Sequence, residues 1–103
     1  MRKLILLLTA GILHAQDAAN GKKLFSSVGC YECHGRVGQG GSAGPRLAPR
    51  PVPLQALIAY VRHPSGAMPP YTAKLVTDAQ LADIHAYLAS LPPPAEDVPL
   101  LKQ

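Results

Sequence analysis

Apolar residues recur along the chain in three stretches with helical spacing. In the first, Asp17 to Ser27, the residues Ala18, Gly21, Leu24, Phe25 and Val28 share one face, and Asp17 stands where a cap belongs. In the second, Pro53 opens a helix whose Leu54, Leu57, Ile58 and Val61 fall at i, i+3, i+4 and i+7. It stops by His63, because Pro64 disfavours helical geometry in the residue before it. The third has the clearest start: Thr77 caps it and Gln80 completes a capping box. Leu81, Ile84, Leu88 and Leu91 form its stripe, with Tyr87 beside it, and Pro92 to Pro94 end it. Between the helices, Gly29 to Pro53 is rich in Gly and Pro and reads as loop around a short turn. Pro64 to Tyr71 is a second loop. With no convincing strand run and no internal repeat, the pattern predicts an all-α domain.

Length allows one small domain within the 103 residues. Arg2 and Lys3 precede an apolar stretch from Leu4 to Leu13, and Ala15 follows as a small residue. That is the layout of an export signal, cleaved near Ala15–Gln16. The stretch is far shorter than the roughly 20 residues that span a bilayer, so no membrane span is expected after cleavage. The expected division is 1–15 signal, 16–92 folded domain and 93–103 tail. Loss of Arg2 and Lys3 leaves eight cationic against six acidic side chains, a net charge of +2. With no basic run and few aromatics, the chain has no case for nucleic acid. Three short helices also make a thin core, of the size at which small proteins lean on staples or cofactors.

Both cysteines stand in "GCYECHGRVGQGG", with His34 directly after Cys33. Zinc wants four ligands, usually as two close pairs, and here His63 or His85 would have to serve singly. A dithiol redox site belongs at the start of a helix in an alternating strand–helix domain, which this pattern lacks. A Cys30–Cys33 disulfide, which an oxidising compartment would favour, closes too small a loop to restrain much chain. The third possibility is covalent haem, whose attachment signature is CxxCH. Two thiols add across the porphyrin vinyl groups, and the next residue, His34, turns its ring onto the iron.

On these residues the chain resembles the small class I cytochromes c along its whole mature length. The family runs from an N-terminal helix through CxxCH, a Gly/Pro loop, a middle helix and a methionine loop to a C-terminal helix. "GKKLF" resembles the first helix, whose Gly21 and Phe25 would pack against the aromatic of the last, here Tyr87 in "DIHAYLASL". "GPRL" resembles the segment whose Pro45 carbonyl accepts from the proximal histidine, fixing its orientation. "AMPPY" resembles the distal loop, with Met68 as sixth ligand. The resemblance implies the small cytochrome c fold, three main helices around one haem c held through Cys30 and Cys33, with His34 and Met68 on the iron.

Met68 is the one methionine beyond the proposed signal, and Pro64, Pro69 and Pro70 stiffen its loop. A stiff loop suits a soft thioether that must be held at bonding distance, and methionine raises the haem potential into carrier range. His63 as ligand would lower it; His85 lies beside the last helix's stripe and points to its edge. Tyr60, Tyr71, Arg46 and Arg50 are candidates for the haem propionates, although exposure or amphipathy accounts for each equally well. Filled axial sites imply one-electron transfer rather than an enzyme, in a periplasmic or otherwise exported protein. The implied partners are redox proteins: a dehydrogenase, an oxidase or another cytochrome. A haem subunit of a periplasmic dehydrogenase and a haem-based gas sensor are the competing settings. With only Lys22, Lys23, Lys74 and Lys102 in the mature chain, docking is expected to rest on an apolar rim more than on a lysine ring.

Overall fold

A computed structural model describes residues 16–93. The proposed signal and nearly all of the tail lie outside the described residues. Four helices follow in order: α1 (Ala18–Ser27), α2 (Tyr31–His34), α3 (Leu54–Arg62) and α4 (Asp78–Ser90). Among the described residues the only β feature is an isolated bridge between Gly41 and Gly44. The architecture is all-α, as expected, and its helices follow the order that the resemblance implies.

Local chemistry sets the helix ends. The Asp17 carboxylate accepts from the Asn20 amide at 3.0 Å and so satisfies a free donor at the start of α1. At α4 the capping box is complete: Gln80 N–H donates to Thr77 Oγ1 at 3.1 Å, and Thr77 N–H donates to Gln80 Oε1 at 2.9 Å. Pro53 caps α3, which ends at Arg62, one residue before His63. The four-residue α2 is the one element the apolar pattern leaves unassigned, because a single turn is too short to show a period.

Helices α1 and α4 cross at close range. A Cβ on Gly21 would stand 1.9 Å from the Asp83 carbonyl oxygen, so only glycine lets the two backbones meet there. Next to the crossing, the Asp83 carboxylate accepts from the Asp17 amide at 2.8 Å and from the Asn20 side chain at 2.9 Å. One turn further on, the Phe25 and Tyr87 rings pack with centroids 5.7 Å apart and planes at 54°. This tilted geometry suits the positive edge and negative face of aromatic rings. Helix α3 packs on α4 as well, and Leu57 and Val61 join Phe25, Ala48, Val76, Leu81, Ile84, Tyr87 and Leu88 in a single core.

The long Gly/Pro segment is held by its own backbone. Gly40 N–H donates to the His34 carbonyl at 2.8 Å, and the Gly38 carbonyl accepts from both Leu47 and Ala48. Gly38 has φ +66°, and a Cβ there would press on the Leu88 side chain at 2.8 Å. A glycine is needed at this point on both counts. The bonds fold the segment back onto α4 and bring Pro45 beside His34.

Candidate haem site

Cys30, Cys33 and His34 stand at i, i+3 and i+4, with Cys30 capping the helical turn that carries the other two. Residues at that spacing share one face of a helix. All three line one cavity of about 270 Å³, and Met68, Pro45, Tyr60 and Tyr71 line it too. Phe25, Leu57, Val61, Leu81, Ile84 and Leu88 contribute a buried apolar wall from three helices. Ala43, Ala67 and Pro69 are exposed residues of the lining, where the cavity meets solvent.

His34 is 8% exposed and lies 2.8 Å through Nδ1 from the Pro45 carbonyl oxygen. A carbonyl only accepts, so Nδ1 carries the proton and donates. In the neutral ring that leaves Nε2 with a free lone pair, the form a metal ligand requires. Gly44 supports this arrangement: a Cβ on it would stand 3.0 Å from both Nδ1 and the Cys33 carbonyl oxygen. Burial pushes the Cys30 thiol up to about 11, against a smaller opposing effect of a backbone hydrogen bond. Such a pocket disfavours a thiolate and suits an uncharged thioether. Burial also raises the Tyr71 hydroxyl, with the neighbouring Cys30, Glu32 and Cys33 adding to it. Tyr71 therefore stays a donor, and it bonds the Val28 carbonyl at 2.9 Å.

The rivals to Met68 stand elsewhere. His63 is exposed and outside the lining. The His85 ring donates through Nε2 to the Val52 carbonyl at 2.9 Å, joining α4 to the segment before α3. Among the described residues no three His, Cys, Asp or Glu side chains converge to hold a metal ion. Cys30 and Cys33 form no disulfide with each other, and among the described residues no strand flanks them as a thioredoxin-type site would require. Of the four propionate candidates, Arg46 and Arg50 are exposed and do not line the cavity. The Tyr60 hydroxyl donates to the Ser65 carbonyl at 3.1 Å, and that of Tyr71 is engaged as described.

An apolar cavity with two thiols on one edge, a tautomer-fixed imidazole and a thioether fits a haem attached by CxxCH. Residues 16–88 match the family described as cytochrome c oxidase, cbb3-type, subunit III. Over 92 residues the chain is 38% identical to the 4-cresol dehydrogenase [hydroxylating] cytochrome c subunit of Pseudomonas putida, covering 87% of this chain and 77% of that one. It is 36% identical over 93 residues to cytochrome c-552 of Acidithiobacillus ferridurans, covering 81% of this chain but 40% of that longer protein. No solved structure matches it. No helix among the described residues is long and apolar enough to cross a membrane. The chain belongs to the c-type cytochromes, as a small electron carrier of the family whose members bind haem c covalently.

Proposed function

We propose that this protein holds one haem c through thioethers at Cys30 and Cys33, with His34 and Met68 as axial ligands. In this reading it passes single electrons to and from redox proteins outside the cytoplasm and catalyses no reaction of its own. The observation that carries the reading is the joint placement of Cys30, Cys33, His34 and Met68 on one apolar cavity, with His34 Nδ1 bound to Pro45. When bound, the haem supplies a one-electron iron couple. The chain's part is to fix that couple's surroundings. Pro45 holds the proton on Nδ1 and keeps Nε2 aimed as a donor. The buried wall from α1, α3 and α4 excludes water, while Ala43, Ala67 and Pro69 mark an edge open to a partner.

Of the possible settings, a haem subunit seated on a dehydrogenase is favoured by the relative named as a dehydrogenase cytochrome c subunit. The test is expression with haem-attachment machinery in an exporting host. The expected product is shortened near Ala15–Gln16, heavier than its amino acids by one haem, and reversible by one electron in a redox titration. A ferric red charge-transfer band, lost in Met68→Ala, identifies the thioether ligand. Co-purification with a large dehydrogenase subunit marks the dehydrogenase setting, and elution as a lone monomer marks a free carrier. A mature chain with no added mass rejects the whole reading.

A further inference from the structure

The loop that carries Met68 begins and ends at Arg62. It leaves α3 after that residue and returns at Tyr71, whose amide donates to the Val61 carbonyl at 2.7 Å. The Arg62 side chain is 16% exposed. Its Nη1 donates to the Tyr71 carbonyl at 2.9 Å and to the Val76 carbonyl at 2.8 Å, and its Nη2 pairs with Asp78 Oδ1 at 2.7 Å. One planar cation thus joins the end of α3, the return of the loop and the first residue of α4. Tyr71 is further tied to Val28, two residues before Cys30, through its hydroxyl. Within the loop, Ser65 accepts from Tyr60. Met68 lies midway between these two anchored residues, three positions from each.

A thioether brings no charge to the iron, so the hold of a methionine ligand against a small competitor would depend on how firmly the loop presents it. The cost of losing that hold is the cost of moving the loop, as for any tethered ligand at high effective concentration. Arg62 does not line the cavity, so it does not act on the haem directly. We propose that Arg62 is a positioning residue for the sixth ligand: through Tyr71 it holds the loop closed and keeps Met68 from yielding to exogenous ligands. This rests on the reading of Met68 as an axial ligand.

The test is imidazole binding to the ferric holoprotein, followed by loss of the red charge-transfer band. Arg62→Lys keeps the charge but cannot make the forked contacts. Its imidazole affinity is expected to rise about tenfold, the scale of one hydrogen bond to a charged group. Asp78→Asn leaves an acceptor oxygen but takes the charge from the exposed arm of the clamp, and is expected to raise it about two- to threefold. In Met68→Ala, affinity is already high, and adding Arg62→Lys changes it no further. An Arg62→Lys protein that unfolds at lower denaturant yet keeps the parent's imidazole affinity overturns the proposal, leaving Arg62 a brace. An effect of Arg62→Lys that persists in full without Met68 overturns it too. Should Arg62→Lys fail to fold, no rise at all in Asp78→Asn decides against the clamp. A Met68→Ala protein with the red band intact instead removes the ligand reading beneath it, which separates the two failures.

Discussion

His34 presents a lone pair at Nε2 because the Pro45 carbonyl accepts a hydrogen bond from Nδ1–H, so a single carbonyl sets both the tautomer and the ring's orientation. The neighbouring Gly44 is what allows the approach. Gly44→Ala puts a methyl 3.0 Å from Nδ1 and 3.1 Å from Cε1, close enough that the ring must give by a few tenths of an ångström. The imidazole then tilts away from Pro45 and becomes a poorer donor to iron. A poorer donor stabilises the ferric state less, so the midpoint potential is expected to rise. The rise is about 40 mV for a hydrogen bond worth about 1 kcal/mol, read by redox titration of the holoprotein. A fall in potential would contradict this account. The CxxCH residues were legible in the sequence, since their spacing is itself the chemistry. Arg62 was not: an arginine at a helix end reads as solvated until Tyr71, Val76 and Asp78 are seen around it.

Among the elements, the α1–α4 crossing depends on an absent side chain and the start of α4 on a present one. An alanine in a helix interior ordinarily gains up to about 1 kcal/mol over glycine. At Gly21 the Asp83 backbone overrides this, because the added carbon would sit 1.9 Å from an oxygen that belongs to another helix. Gly21→Ala is expected to cost about 3 kcal/mol, against about 1 kcal/mol for Thr77→Ala, which loses one cap. Denaturant unfolding of the two holoproteins checks the order, and equal losses would mean that the helices separate at little cost. Caps and stripes were readable because they are local, involving residues within four positions. Apart from the Pro45 contact that the resemblance implied, the 35–50 segment was readable only as loop, since its shape comes from backbone bonds such as Gly40 to His34 and Leu47 to Gly38. Backbone groups are the same at every residue and leave no mark in composition.

For the whole molecule, the centre of the fold is a cavity of about 270 Å³ walled by the core that should hold it together. Phe25, Leu57, Val61, Leu81, Ile84 and Leu88 face that space as well as one another. Apolar surface left against an empty or wet cavity forfeits both transfer energy and packing contacts. A chain this small has little reserve. The chain without haem, made by Cys30→Ala with Cys33→Ala, is expected to lose most of its far-ultraviolet helical signal and to melt without a sharp transition. Cooperative melting in that variant, near the holoprotein's temperature, would mean that the side chains alone suffice.

The sequence by itself determined the three main helices, the all-α class and the CxxCH pattern on which the proposed attachment rests, because each depends on spacing within a few residues. Tertiary structure decided what spacing cannot carry. It put Met68 on the cavity and left His63 outside, gave His85 to Val52, and made Arg62 a junction of three segments. Each of those outcomes depends on which distant groups the folded backbone brings within hydrogen-bond reach.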